Sequence, residues 1–151
     1  MIEDKQIRFV GSAIVPYEGG FLYVQTKKDG KIGLPGGKPR LFEDILVAVS
    51  REVKEEVNIE ITLETGITIH ENESTRGNHI INFIYLGKIV RGTPKIVNPK
   101  EIEAIRILSL GQVRKEYERG NVRSLSNVVA LEEYLSGKRF TLDTVKCFFE
   151  R

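Results

Sequence analysis

The stretch "LPGGKPRLFEDILVAVSREVKEEVNIE", Leu34 to Glu60, decides how the chain is read. A glycine-rich turn opens it, an apolar stripe runs through it, and "REVKEEV" closes it. On a helix of about 100° per residue, with Ile45 at zero, Leu46, Val49, Val53 and Val57 fall within roughly 40–120° and form a core stripe. Glu55, Glu52 and Glu56 fall at roughly 280°, 340° and 20°, one sector of about 100° beside that stripe. Like charges three and four apart repel on a helix. On this wheel Arg51 and Lys54 lie outside the sector and screen it only partly. A hard divalent cation removes the repulsion, because Mg²⁺ takes a few carboxylates and shares its remaining positions with water and phosphate oxygens. The glycines ahead of the helix let backbone N–H groups come close to a ligand. The competing interpretation, a glutamate-rich solvated face, explains neither the shared sector nor the turn.

Outward from this stretch, the pattern alternates strands with a few helices. Ile7–Tyr17 and Phe21–Thr26 are rich in β-branched and aromatic residues and read as strands, with turns at Glu18–Gly20 and Lys27–Lys31. The helix is expected over Glu43–Val57. Ile59–Glu71 alternates like a strand with a break at Gly66, and His79–Val90 is the strongest strand signal. A polar loop, Asn72–Asn78, separates the two. After a second loop, Arg91–Lys100, come a strand over Glu101–Leu108, a short helix capped by Ser109, and an amphipathic helix over Ser124–Arg139 that stops at Gly137. The tail "FTLDTVKCFFER" reads as a last strand or a packed segment. Strands flanked by helices predict a mixed sheet between helical layers.

The chain has 151 residues, enough for one domain with one core, and no internal repeat or linker divides it. Its 23 basic and 21 acidic residues give a net charge of only +2, so no general affinity for nucleic acid or membranes is expected. No apolar run approaches the roughly 18 residues of a membrane span. The amino-terminal stretch is charged and lacks the apolar core of a secretion signal, and one cysteine, Cys147, allows no intramolecular disulfide. A cytoplasmic location is therefore expected.

From Gly37 to Ile59 the residues read Gly37, five others, Glu43, seven others, then Arg51, Glu52, Val53, Lys54, Glu55, Glu56, Val57, Asn58 and Ile59. This resembles the Nudix box, G-x5-E-x7-R-E-U-x-E-E-x-G-U with U aliphatic. Asn58 alone departs from it, standing where the family has glycine. Asn is the best substitute for glycine in the left-handed conformation that ends a helix. The resemblance extends to "LPGG", to the first strand and to "EIEAIRILSLGQV". It implies a Nudix-type α/β/α sandwich with a mixed β-sheet, spanning 1–151 as a single domain. It also implies a hydrolase that cleaves a phosphoanhydride in a nucleoside diphosphate linked to some moiety X.

Carried over residue by residue, Glu52, Glu55 and Glu56 would bind Mg²⁺ or Mn²⁺, with Gly37 beside the metal and Glu43 and Arg51 orienting the cluster. On the later loop, Glu101 or Glu103 would add a ligand or the base. Gly36, Gly37, Lys38, Arg40 and Arg76 are expected at the substrate, and Lys27, Lys28 and Lys31 add local positive charge. Tyr17 and Phe83 are candidates for base stacking, since there is no Trp and Ile32 stands where many relatives carry an aromatic. Phe42 replaces a glycine often found before Glu43, which predicts a stiffer loop. His70 and His79 are expected at strand ends with satisfied rings, and Cys147 in packing. A proline and a tyrosine that mark two subfamilies are absent near Ser74–Arg76. A MutT-like enzyme acting on (d)NTPs or modified nucleotides therefore leads, ahead of an ADP-ribose or nucleotide-sugar pyrophosphatase. A non-catalytic nucleotide-binding domain is the reading of another class. The expected partner is a small nucleotide-type molecule, and the expected assembly a monomer or homodimer.

Overall fold

Residues 5–149 are described by a computed structural model. Two four-stranded sheets form its centre. The first runs β5 (Gly36–Gly37), β1 (Ile7–Ile14), β7 (His79–Gly92), β6 (Ile59–Glu73). It is mixed: β1 lies parallel to β7, from Ile7 opposite His79 to Ile14 opposite Leu86, while its other pairings are antiparallel. The second is antiparallel throughout. In it β3 (Gly20–Thr26) pairs with β2 (Pro16–Tyr17), β4 (Ile32–Gly33) and β8 (Ile102–Leu108).

Period-two alternation sends neighbouring residues to opposite faces, and the core divides accordingly. Ala13, Val15, Leu22, Val24 and Tyr85 pack with Val49, Val53 and Val57 of helix α1 (Ile45–Val57). Their sequence neighbours Ile14, Tyr23 and Ile84 pack instead with Val113 of α2 (Leu110–Glu118) and with Val128, Ala130 and Leu131 of α3 (Ser126–Leu135). The result is the α/β/α layering expected from the sequence, with the strands shared between two sheets rather than one.

The expected boundaries shift for local reasons. Helix α1 begins at Ile45 because the Asp44 side chain accepts the Leu46 N–H, which leaves Glu43 in the loop ahead of it. Its end is as expected: Asn58 lies at φ 64°, ψ 32°, and its N–H donates to the Lys54 carbonyl. Strand β6 does not break at Gly66. Register shifts absorb the irregularity, and Phe140 from the tail bridges to Gly66, where a Cβ would meet the Phe140 ring at 2.2 Å. The tail then makes a 3₁₀ turn over Leu142–Thr144. Ser109 caps α2 in a reciprocal arrangement with Gln112, as in a capping box. Helix α3 begins at Ser126, two residues later than expected. No helix among the described residues is long and apolar enough to cross a membrane.

Candidate active site

The glycine-rich turn is a strand as well as a loop. Gly36 and Gly37 pair with Ser12 and Gly11 of β1. Gly36 has φ 152°, and a Cβ there would lie 2.0 Å from the Gly11 carbonyl oxygen, so only glycine fits. A Cβ on Gly37 would lie 2.5 Å from the Glu52 carboxyl carbon, so the absence of a side chain lets that carboxylate rest on the backbone.

Arg51 organises the acidic face. Its guanidinium donates to both oxygens of Glu43, at 2.8 and 2.9 Å. It also reaches Glu52 at 3.0 Å and Glu55 at 3.2 Å. The partial screening expected from the wheel is thus corrected. Arg51, whose side chain is 17% exposed, bonds two of the three clustered glutamates, whereas Lys54 turns away to Glu60. The Arg51 hydrogen bonds hold the Glu43 carboxyl down at about 2. Burial instead pushes Glu56 up to about 7, against the Gly36 N–H that it accepts at 2.8 Å and the nearby positive charge of Arg123; the charges of Glu52 and Glu101 push it further up. Burial also raises Glu52, with Glu55 and Glu101 adding to the rise and Arg51 opposing it.

Above this face opens a cleft of about 810 Å³. Of the expected residues, Gly36, Gly37, Lys38, Glu52, Glu56 and Glu101 line it. Glu103 does not, which separates the two candidates on the later loop. Glu43 and Arg51 sit behind the lining and hold it. Glu55 is half exposed and lies outside the lining, against Arg51 and, at 3.8 Å, Arg40. Arg76 is at the rim, close enough, with Arg8, to lower the pKa of the Lys38 ammonium, which burial lowers most.

Tyr17 and Phe83 belong to the core under α1, and no aromatic side chain lines the cleft among the described residues. His79 does open β7, 3.3 Å from Glu71. His70 lies within β6 rather than at a strand end, and its ring is satisfied by Ser126 and Glu133. Cys147 is exposed rather than packed.

The rest of the lining was not anticipated from the sequence. Ser12, Asn82, Lys100, Arg123, Ser124 and Asn127 come from five separate segments, and none carries a local motif. Asn127 is committed to the scaffold, since its side-chain oxygen accepts the Leu34 N–H at 2.9 Å. Arg123 is presented rigidly, because its backbone N–H donates to Ile32 and a Cβ on Gly33 would lie 3.2 Å from its guanidinium carbon.

The donor set suits a hard divalent cation. Glu52 and Glu56 are partly withdrawn from water and face the same cleft as Glu101, whose charge raises the pKa of both. Among the described residues no three acidic, His or Cys side chains already converge as a cation site. Glu52 and Glu55 are turned to Arg51 and Glu56 to Gly36, so a cation would draw them from these bonds.

The sequence matches the NUDIX domain over residues 7–128. The chain belongs to the Nudix family. Its fold is similar to that of a NUDIX hydrolase from Nitrosomonas europaea, with a TM-score of 0.83 at 23% identity, covering 93% of this chain and 97% of that one. It is also similar to a MutT NUDIX hydrolase from Burkholderia pseudomallei, with a TM-score of 0.73 at 27% identity over 85% and 98% of the two chains. An Ap4A hydrolase from C. elegans aligns with a TM-score of 0.70 at 18% identity, covering 85% and 96%. No curated protein matches the chain. The protein is therefore a Nudix pyrophosphohydrolase, of a family that generally uses divalent metals.

Proposed function

We propose that the protein, as one domain over residues 1–151, hydrolyses a phosphoanhydride bond in a nucleoside triphosphate or modified nucleotide. The observation that carries this reading is the meeting, in one cleft, of Glu52, Glu56 and Glu101 with Lys27, Lys28, Lys38, Lys100 and Arg123. Carboxylates suited to a cation face positive groups suited to phosphates.

Glu52, Glu55 and Glu56, with the backbone at Gly37, would hold Mg²⁺ or Mn²⁺. Bound there, the cation would neutralise pyrophosphate charge and acidify water. Glu43 and Arg51 keep the helix face in register. Gly36 and Gly37 let the phosphate chain approach the backbone. Lys38 in the cleft, with Arg40 and Arg76 at its rim, attracts the anionic substrate. Glu101 lines the cleft with Glu52 and Glu56, has only a 3.5 Å bond from Asn98, and is assigned the role of proton acceptor. Without aromatic walls, the base would be held by polar groups such as Asn82 rather than by stacking. A single exposed cysteine is compatible with the reducing cytoplasm.

An ADP-ribose or nucleotide-sugar pyrophosphatase shares this chemistry and differs in what occupies the far end of the cleft. Measuring phosphate and pyrophosphate release over a panel of NTPs, dNTPs, ADP-ribose and nucleotide sugars, with Mg²⁺ and with Mn²⁺, tests the reading. Metal-dependent turnover of a triphosphate supports it. Turnover confined to the sugar-linked diphosphates replaces it with the second reading, and turnover of none leaves a binding domain.

A further inference from the structure

Beside the glycine-rich turn, the positive charges of Arg8 and Arg76 both act on Lys38. Arg8, Val10 and Ser12 alternate along β1 and share one face; Val10 and Ser12 line the cleft. Arg8 pairs in register with Ile80, another lining residue. Lys38 comes from the glycine-rich turn. Arg76 comes from the loop between β6 and β7, which is tied to the start of β1 by Lys5 Nζ on the Arg76 carbonyl at 2.9 Å and by the Gln6 N–H on Asn78 at 3.1 Å.

Among the described residues, no carboxylate lies within 4.0 Å of the charged groups of Arg8, Lys38 or Arg76, and Glu73 on the same rim is no exception. The Arg8 Nε is buried with no acceptor. A buried donor without a partner costs about 1–3 kcal/mol, more for a charged group. Three mutually repelling cations cost further. Bringing them together is explained by an anion that satisfies all three.

We propose that Arg8, Lys38 and Arg76 form an anion subsite for a phosphate group separate from the scissile anhydride. The substrate would then be a nucleotide derivative phosphorylated at both ends, gripped by guanidinium forks at one end and cleaved at the other. The subsite itself needs no catalysis; only this substrate class rests on the hydrolase reading above.

Pyrophosphate binding to the metal-free protein, followed by calorimetry, tests the subsite without turnover. The wild type should bind, and Arg76→Gln, in an exposed loop, should weaken binding at least about tenfold. Arg8→Gln should do the same. Lys88→Gln, which removes an equal charge away from the cleft, should leave it unchanged. No binding by the wild type, or equal losses in Lys88→Gln and Arg76→Gln, would overturn the subsite. If binding behaves as expected but no nucleotide is hydrolysed, the subsite stands and the hydrolase reading falls.

Discussion

The two walls of the cleft are built in opposite ways. The acidic wall comes from one helix and the turn before it, and its order is set by neighbours in sequence. Glu52 and Glu56 follow from helical periodicity, with Glu55 beside them outside the lining and Arg51 bonded to Glu52 and Glu55. The basic and polar wall is assembled across the fold, from β1, β7 and the loops that bring Lys100 and Arg123 to the same opening. A local wall tolerates change elsewhere and fails when its own residues change. A dispersed wall depends on the sheet register and spreads its contribution over many weak contacts.

The sharpest way to break this contrast is to remove carboxylates from the local wall. Glu56→Gln and Glu52→Gln should each lower kcat by at least roughly 10², as loss of a metal ligand or proton acceptor does. The melting temperature of the metal-free protein should hold or rise, since glutamine relieves like-charge repulsion. Steady-state kinetics beside a melting scan checks both.

Arg51→Gln should act next, and on stability. It removes five hydrogen bonds to three carboxylates. A loss of about 2 kcal/mol is expected from charged hydrogen bonds of this kind. Lys54→Gln, on the same helix but paired only with exposed Glu60, should cost well under about 1 kcal/mol. Denaturant unfolding of the two variants side by side measures the difference, and equal losses would contradict the ordering of this face by Arg51.

Acidity sharpens the comparison further. Burial raises Glu56 to about 7 from the ordinary 4.5, so between those values the folded chain holds more protons than the unfolded one. Stability of the metal-free protein contributed by this group therefore falls as pH rises through that window. Glu43 has the opposite sign: held at about 2 by Arg51, it contributes stability above about 4.5 that is lost as pH falls toward 2. Melting curves from pH 5 to pH 7.5 should slope downward more steeply in the wild type than in Glu56→Gln.

The smallest effect is expected at the helix end. Asn58 occupies the left-handed region, and its side chain reaches the Thr93 carbonyl only at 3.5 Å. Asn58→Gly should change stability by less than about 0.5 kcal/mol in either direction. A loss above about 1 kcal/mol in urea unfolding would give that long contact a structural role.

What could be read beforehand follows the same division. The acidic helix, its Asn58 cap, the Ser109 cap and the long strands announce themselves in spacing and residue type. The dispersed wall does not, because Ser12, Asn82 and Arg123 are ordinary residues until β1, β7 and the segment before α3 bring them together. Two-residue strands such as Gly36–Gly37 have no side-chain alternation to detect. The role of Arg51 was misjudged because a wheel places Cα positions, whereas a long guanidinium folds back across its own face. Gly66 looked like a break because a bulge filled by a distant phenyl ring leaves no local trace.

The proposed cation site joins α1 to the later loop. Titrating Mn²⁺ into the purified protein, with the melting temperature as readout, tests it most directly. The wild type should be stabilised, by about 2.7 kcal/mol at a hundredfold excess over Kd. The Glu52→Gln, Glu56→Gln double variant should lose most of that gain. A wild type that neither shifts with Mn²⁺ or Mg²⁺ nor hydrolyses any nucleotide in their presence, or a double variant that shifts as far as the wild type, would contradict it.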